Sequence, residues 1–170
     1  MYVSPEADGW TLVIGPWCDP SDGERCDEVM RLCTELSARY GAAQAYYHGA
    51  QGDGSAWLVA EHGSVVRRYC ETGMPEDSLL ALEHPLVLER AQRELLGLPP
   101  AWDASTRNDE PEDDWKWRAV ELAPEVAAPL GTSPLALTAE TQVRGSGVVA
   151  STPHPMHPEG PSASDDVREM

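Results

Sequence analysis

Residues 43–71, AQAYYHGAQGDGSAWLVAEHGSVVRRYCE, decide the fold. Three runs rich in β-branched and aromatic residues, 43–51, 55–61 and 64–71, are separated by Gly52-Asp53-Gly54 and His62-Gly63. Short glycine-bearing connectors between such runs read as hairpin turns, so the segment is an antiparallel meander. A two-residue loop at His62-Gly63 sets Ala60 against Val65, Leu58 against Arg67 and Trp57 against Arg68. A two-residue loop at Asp53-Gly54 sets His48 beside Val59. Since strand side chains alternate, this register gathers Tyr46, His48, Trp57, Arg68 and Cys70 on one face and Tyr47, Leu58, Arg67 and Tyr69 on the other. A slip of one residue exchanges the faces.

Upstream lies an amphipathic helix. Cys26, Val29, Met30, Cys33, Leu36 and Tyr40 recur at helical spacing, with Asp27, Glu28, Arg31, Glu35 and Arg39 on the opposite side. Ser21-Asp22-Gly23-Glu24 has the form of a capping box before it, and Gly41 is placed to end it. Further upstream, Asp8-Gly9 joins two strands, 2–7 and 10–15, into a hairpin. Trp10, Leu12 and Ile14 alternate with Thr11 and Val13, so both faces of the second strand are largely apolar and it reads as interior.

Downstream, 76–82 and 86–96 read as short helices, and 115–123 as a third, followed by a separate turn from Pro124 to Ala128. Residues 97–114 carry six acids and one base, the pattern of a solvated acidic loop or insertion. Valines around Gly145 and Gly147 make 142–151 a final strand, with a bulge or close backbone approach at the glycines. The expectation is an α+β fold: an antiparallel sheet of N-terminal hairpin, meander and one late strand, with the amphipathic helix and helices mainly on one face. Residues 1–151 form one domain, and 152–170, with four prolines and few large apolar residues, a disordered tail.

The chain has 170 residues, 12 basic and 29 acidic, for a net charge of −17. Affinity for nucleic acid comes mainly from Lys and Arg displacing phosphate counterions, so nucleic-acid partners are excluded, and anionic membrane surfaces are disfavoured for the same reason. The start lacks a basic segment followed by an apolar run, which argues for a cytoplasmic protein. One Lys, one Ile, one Asn and no Phe point to a GC-rich bacterial genome, so Arg in place of Lys carries no chemical message here.

Few residues form chemical patterns. Cys18, Cys26, Cys33 and Cys70 include no C-x-x-C pair, and no histidines are spaced as helical metal ligands; no metal or cofactor is implied. His154 and His157 lie in the tail, where nothing fixes a coordination geometry. His48, as a proton-transfer group, with Arg68 to hold an anion and Tyr46 and Trp57 as walls, makes a candidate for a small enzyme or small-molecule binder. The absence of a neighbouring carboxylate or nucleophile weighs against it. The stronger pattern is the acidic run ending in Trp115-Lys116-Trp117: Asp109, Glu110, Asp113 and Asp114 would steer a basic protein while Trp115 and Trp117 anchor it. The reading leans to a non-enzymatic protein-binding protein, similar in logic to an immunity protein, an antitoxin or a regulatory adaptor.

Overall fold

Two tight turns frame the chain. Asp8 and Gly9 have φ of 48° and 86°, and His62 and Gly63 have 49° and 85°. Positive φ at both central positions is the type I′ hairpin turn, whose twist matches that of its strands. The computed structural model describes residues 1–49, 53–74, 77, 81–100 and 110–151. Its elements are β1 (Tyr2–Ala7), β2 (Trp10–Ile14), α1 (Cys26–Tyr40), β3 (Ala42–His48), β4 (Ser55–Glu61), β5 (Ser64–Glu71), α2 (Val87–Leu95), α3 (Glu110–Ala119), α4 (Ala123–Leu130), β6 (Val143–Arg144) and β7 (Val148–Val149). The class is α+β, as the sequence implied, but the strands form two antiparallel sheets. Parts of the expected organisation, the helix over 76–82, most of the acidic segment and the tail 152–170, fall largely or wholly outside the described residues.

In the first sheet β1 is central, and β2 is an edge strand rather than an interior one. Val13 and Ile14 are accordingly exposed. A central strand containing Pro5 is unusual, because proline cannot donate to the ladder. The β1–β2 register shifts between Val3 and Glu6, and the Ser4 hydroxyl accepts the Leu12 N–H at 2.9 Å. The expected late strand is two short ones, β6 and β7, both on β1 and separated by Gly145-Ser146-Gly147.

The second sheet is the meander, in the order β3-β4-β5. Two departures from the expected register matter. The β3–β4 connection spans residues 49–54 rather than two residues, so His48 pairs with Ser55, not Val59. Beyond Ala60↔Val65 a bulge in β5 shifts the pairing to Val59↔Arg67, Leu58↔Arg68 and Trp57↔Tyr69. The extra residue turns β5 over, so Arg67 and Tyr69 join the face of Tyr46 and Trp57, while Arg68 and Cys70 join that of Leu58.

Each face has its own core. α1 covers one, burying Val29 and Cys33 against Ala43, Ala45, Leu58 and Ala60. The helix starts at Cys26, one turn past the expected capping box: Asp22, not Ser21, accepts the Glu24 and Arg25 amides at 2.9 and 3.2 Å. Its apolar stripe stops short of Tyr40, which is 68% exposed. The remaining helices gather on the other face, where Trp57 and Tyr69 meet Trp115, Ala119, Leu122 and Val126, with Leu86 and Leu88 packed beside them. α4 is held at both ends by the sheet: the Ser55 hydroxyl accepts the Ala123 amide at 3.1 Å, and the Gln44 amide donates to Leu130 O at 2.7 Å. A side chain at Gly131 would collide with the Trp10 indole, which packs on that glycine.

α2 is anchored by charge. Arg67, brought to the helical face by the bulge, donates from Nε to both oxygens of Glu89 at 3.0 Å and from Nη2 at 2.7 Å. Its Nη1 donates to Leu82 O and Glu83 O. Glu89 is fully buried and also accepts the Leu86 amide at 2.8 Å, so one carboxylate neutralises the sheet and caps the helix. Removing one partner of a buried pair typically costs about 3–5 kcal/mol, whereas replacing both by apolar groups is often close to neutral. Glu89→Ala is therefore expected to lower unfolding stability by about that amount in urea titrations. The Arg67→Met/Glu89→Met double variant should lose far less; equal losses would show that the pair is not what holds α2.

Candidate functional site

Two places stand out. The first is a cleft of about 230 Å³ between the end of β3 and α4, lined by Tyr46 and His48, by Ala123, Pro124 and Ala127, and by Ser133, Pro134 and Leu135 of a short 3₁₀ turn. It is below the roughly 300–1,000 Å³ usual for small-molecule sites, and its walls are mostly apolar. The Tyr46 hydroxyl donates to Gln44 Oε1 at 2.8 Å, and burial raises its pKa above the ordinary phenol value. His48, the last residue of β3, is exposed.

The structure does not bring the expected constellation together. Arg68 lies on the opposite face from His48, because the bulge in β5 inverts its side-chain direction. It is 4% exposed; Nη2 donates to Pro20 O at 3.3 Å, and Nε has no hydrogen-bond partner among the described residues. Trp57 is fully buried and stacks on Tyr69 with ring centroids 4.8 Å apart, so it belongs to the core and not to the wall of a cleft. Of the four residues, Tyr46 and His48 alone share the cleft. Pro124, Ala127 and Leu135 were not legible as its other walls, since nothing local in 123–135 shows that this segment returns to β3.

The second place is α3. Glu110 opens this helix, so the acidic run is partly helical rather than all loop, and Asp109 lies outside the described residues. Trp115 and Trp117 have opposite fates. Trp115 is 1% exposed, and its Nε1 donates to the Tyr69 hydroxyl at 2.8 Å; it is a core residue, not a contact for a partner. Trp117 is 76% exposed. Asp113 and Asp114 precede it by four and three residues, the spacing that puts side chains on one helical face, and both are exposed. Lys116 Nζ lies 3.4 Å from Asp113, and Arg118 is tied to Glu125 at 2.6 Å.

A hydrogen-bonded chain seats this helix on the sheet: Trp115 Nε1 donates to Tyr69, whose hydroxyl donates to Glu71 Oε2 at 3.2 Å. Burial raises the pKa of both, Tyr69 well above and Glu71 above its ordinary value of 4.5. All four cysteines are free, burial pushes the Cys33 thiol up to about 12, and no group of metal-ligating side chains occurs among the described residues. No family model matches the chain, and no curated protein or solved structure is significantly similar to it.

Glu71 gives a pH prediction. A carboxyl whose pKa is raised on folding makes the folded state bind more protons than the unfolded one, so its contribution to stability is present below 4.5 and is lost as pH rises through the raised folded value. Glu71→Gln retains an acceptor for Tyr69 and removes that loss. Melting temperatures of both proteins from pH 4 to 7 should show the variant gaining on the wild type as pH rises; parallel curves would disprove the assignment.

Proposed function

We propose that the protein is a non-enzymatic, acidic, cytoplasmic protein-binding protein, of the kind that neutralises a basic toxin or adapts one protein to another. The observation that carries the reading is Trp117, a large aromatic 76% exposed on the same helical face as Asp113 and Asp114. Exposed Trp beside unburied charge is the composition of a binding anchor with electrostatic steering around it. The net charge of −17 supports a basic partner and argues against nucleic acid. Trp115 is withdrawn from the recognition surface. Four free cysteines fit a reducing compartment, and among the described residues no helix is long and apolar enough to cross a membrane.

The alternative of a small enzyme built on His48 and Arg68 requires both on one face, and they are on opposite faces. What remains in its favour is the cleft holding Tyr46 and His48.

The reading is tested by affinity purification from the source cell at low and moderate salt, read by mass spectrometry, with the wild type, Trp117→Ala and Asp113→Lys/Asp114→Lys. A basic protein is expected in stoichiometric amount with the wild type, leaving as salt rises. Trp117→Ala should weaken it about 30-fold, the equivalent of roughly 2 kcal/mol for an anchoring Trp. The lysine variant should lose both affinity and salt dependence. Binding indifferent to all of these changes would refute the α3 surface.

A further inference from the structure

The three-stranded sheet has two edges, and they are treated differently. On β5, Leu82 pairs with Arg68 through both backbone hydrogen bonds, 3.1 Å from the Arg68 amide and 3.0 Å from the Leu82 amide. Among the described residues nothing comparable occurs on β3. The bonds that flank the β3–β4 ladder, His62 N–H to Gly41 O at 2.9 Å and Gly49 N–H to Gly54 O at 2.8 Å, fix its phase. In an antiparallel pair, hydrogen-bonded and non-hydrogen-bonded positions alternate. Residues 41, 43, 45, 47 and 49 therefore face β4, and the N–H and C=O groups of Gln44, Tyr46 and His48 point away from the sheet. Among the described residues, no backbone or side-chain group hydrogen-bonds to them.

Sheet edges are normally blunted by Lys, Pro, a bulge or a covering segment. β3 reads AAQAYYH, without Lys or Pro, and runs in unbroken register with β4 over its whole length. The cleft lies at the same place: the side chains of Tyr46 and His48, the residues that present free backbone groups, line it together with Pro124, Ala127 and Leu135. A strand laid along β3 would direct alternate side chains to the cleft face, and the cleft has room for one large apolar side chain.

Charge selects the occupant. A second copy of this chain brings another −17 to the interface. Exposed acids stand at both ends of the edge: Glu61 opposite Ala42, and Asp53, whose carboxylate lies against Gly49. We infer that the free edge of β3 and the adjoining cleft form a docking site for an extended, basic segment of another protein, which adds as a fourth strand and seats one apolar side chain between Tyr46, His48 and α4. The site is separate from the α3 surface, whose residues do not line the cleft, and either can fail without the other.

The probe is a blocked octapeptide with lysine at alternate positions, threonine between them and one central leucine, added to the full chain and to its Trp117→Ala variant. Amide hydrogen exchange resolved by residue reads the edge: Gln44, Tyr46 and His48 should exchange fast in the free protein and at least about tenfold slower with peptide, in both proteins. Glutamate in place of lysine should weaken binding about tenfold or more, and N-methylation of alternate peptide amides should abolish it. No slowing at these amides, slow exchange already in the free chain, or equal binding of the glutamate peptide would overturn the inference. Slowing that tracks protein concentration, with dimerisation in sedimentation equilibrium, would assign the edge to a second copy and overturn the proposed occupant.

Discussion

The guanidinium of Arg67 is the constraint around which the helical half of the molecule is arranged. A cation on a sheet face covered by helices cannot be left bare, since an uncompensated buried charge costs several kcal/mol. Glu89 and the carbonyls of Leu82 and Glu83 take up all three of its nitrogens. To supply them, Leu82 and Glu83 must lie beside β5 and α2 must start above it. The Arg68–Leu82 bridge and the capping of Leu86 by Glu89 are consequences of this path. A buried pair of this kind adds little net stability over an apolar replacement; what it supplies here is register, because only one placement of α2 satisfies both charges.

The same face then settles α3 and α4. Trp57, stacked on Tyr69, offers a flat aromatic floor, and Trp115 meets Tyr69 edge-on with centroids 5.9 Å apart. The hydrogen bond from Trp115 to the Tyr69 hydroxyl selects one rotation of α3 about its axis. Given that rotation, helical geometry turns Asp113, Asp114 and Trp117 outward. The exposed aromatic is thus a direct result of the buried one two residues earlier, and the acidic character of the surface follows from the core contact beneath it.

Local chemistry was legible and long-range chemistry was not. The Asp8-Gly9 and His62-Gly63 turns, the 26–40 helix and the three meander strands all follow from residue preferences within a few positions. The bulge in β5 does not, because Val65 and Val66 suit a strand with or without an extra residue; whether one is inserted decides which arginine faces α2, and that depends on which of them meets a carboxylate. Among the described residues Arg67 alone does, through Glu89, 22 positions away. That single shift inverted the faces and separated Arg68 from His48. Likewise, apolar residues on both sides of β2 suggested burial, yet β1, with its bulge at Pro5, took the centre. For the candidate surface, Trp115 and Trp117 both stand beside the acidic run and both read as anchors; what separates them is the packing of Trp115 with Ala119 and Leu122 in the core, which leaves Trp117 as the exposed aromatic.

High negative charge and an unprotected β3 edge fit together physically. An edge strand free of Lys, Pro and bulges invites pairing with any extended chain, including another copy. In a chain carrying −17, repulsion between copies opposes that pairing at long range without placing a charge in the strand itself. The edge can then remain chemically open, and in the docking proposed for it selectivity would come from the field around it: like-charged chains would be kept away, while basic ones would be drawn in and held by backbone hydrogen bonds that any sequence can make. Salt weakens this discrimination, because screening shortens the reach of the field to about 8 Å at physiological ionic strength and less above it. An open edge of this kind would therefore be selective for a basic partner only while the surrounding carboxylates stay ionised and unscreened.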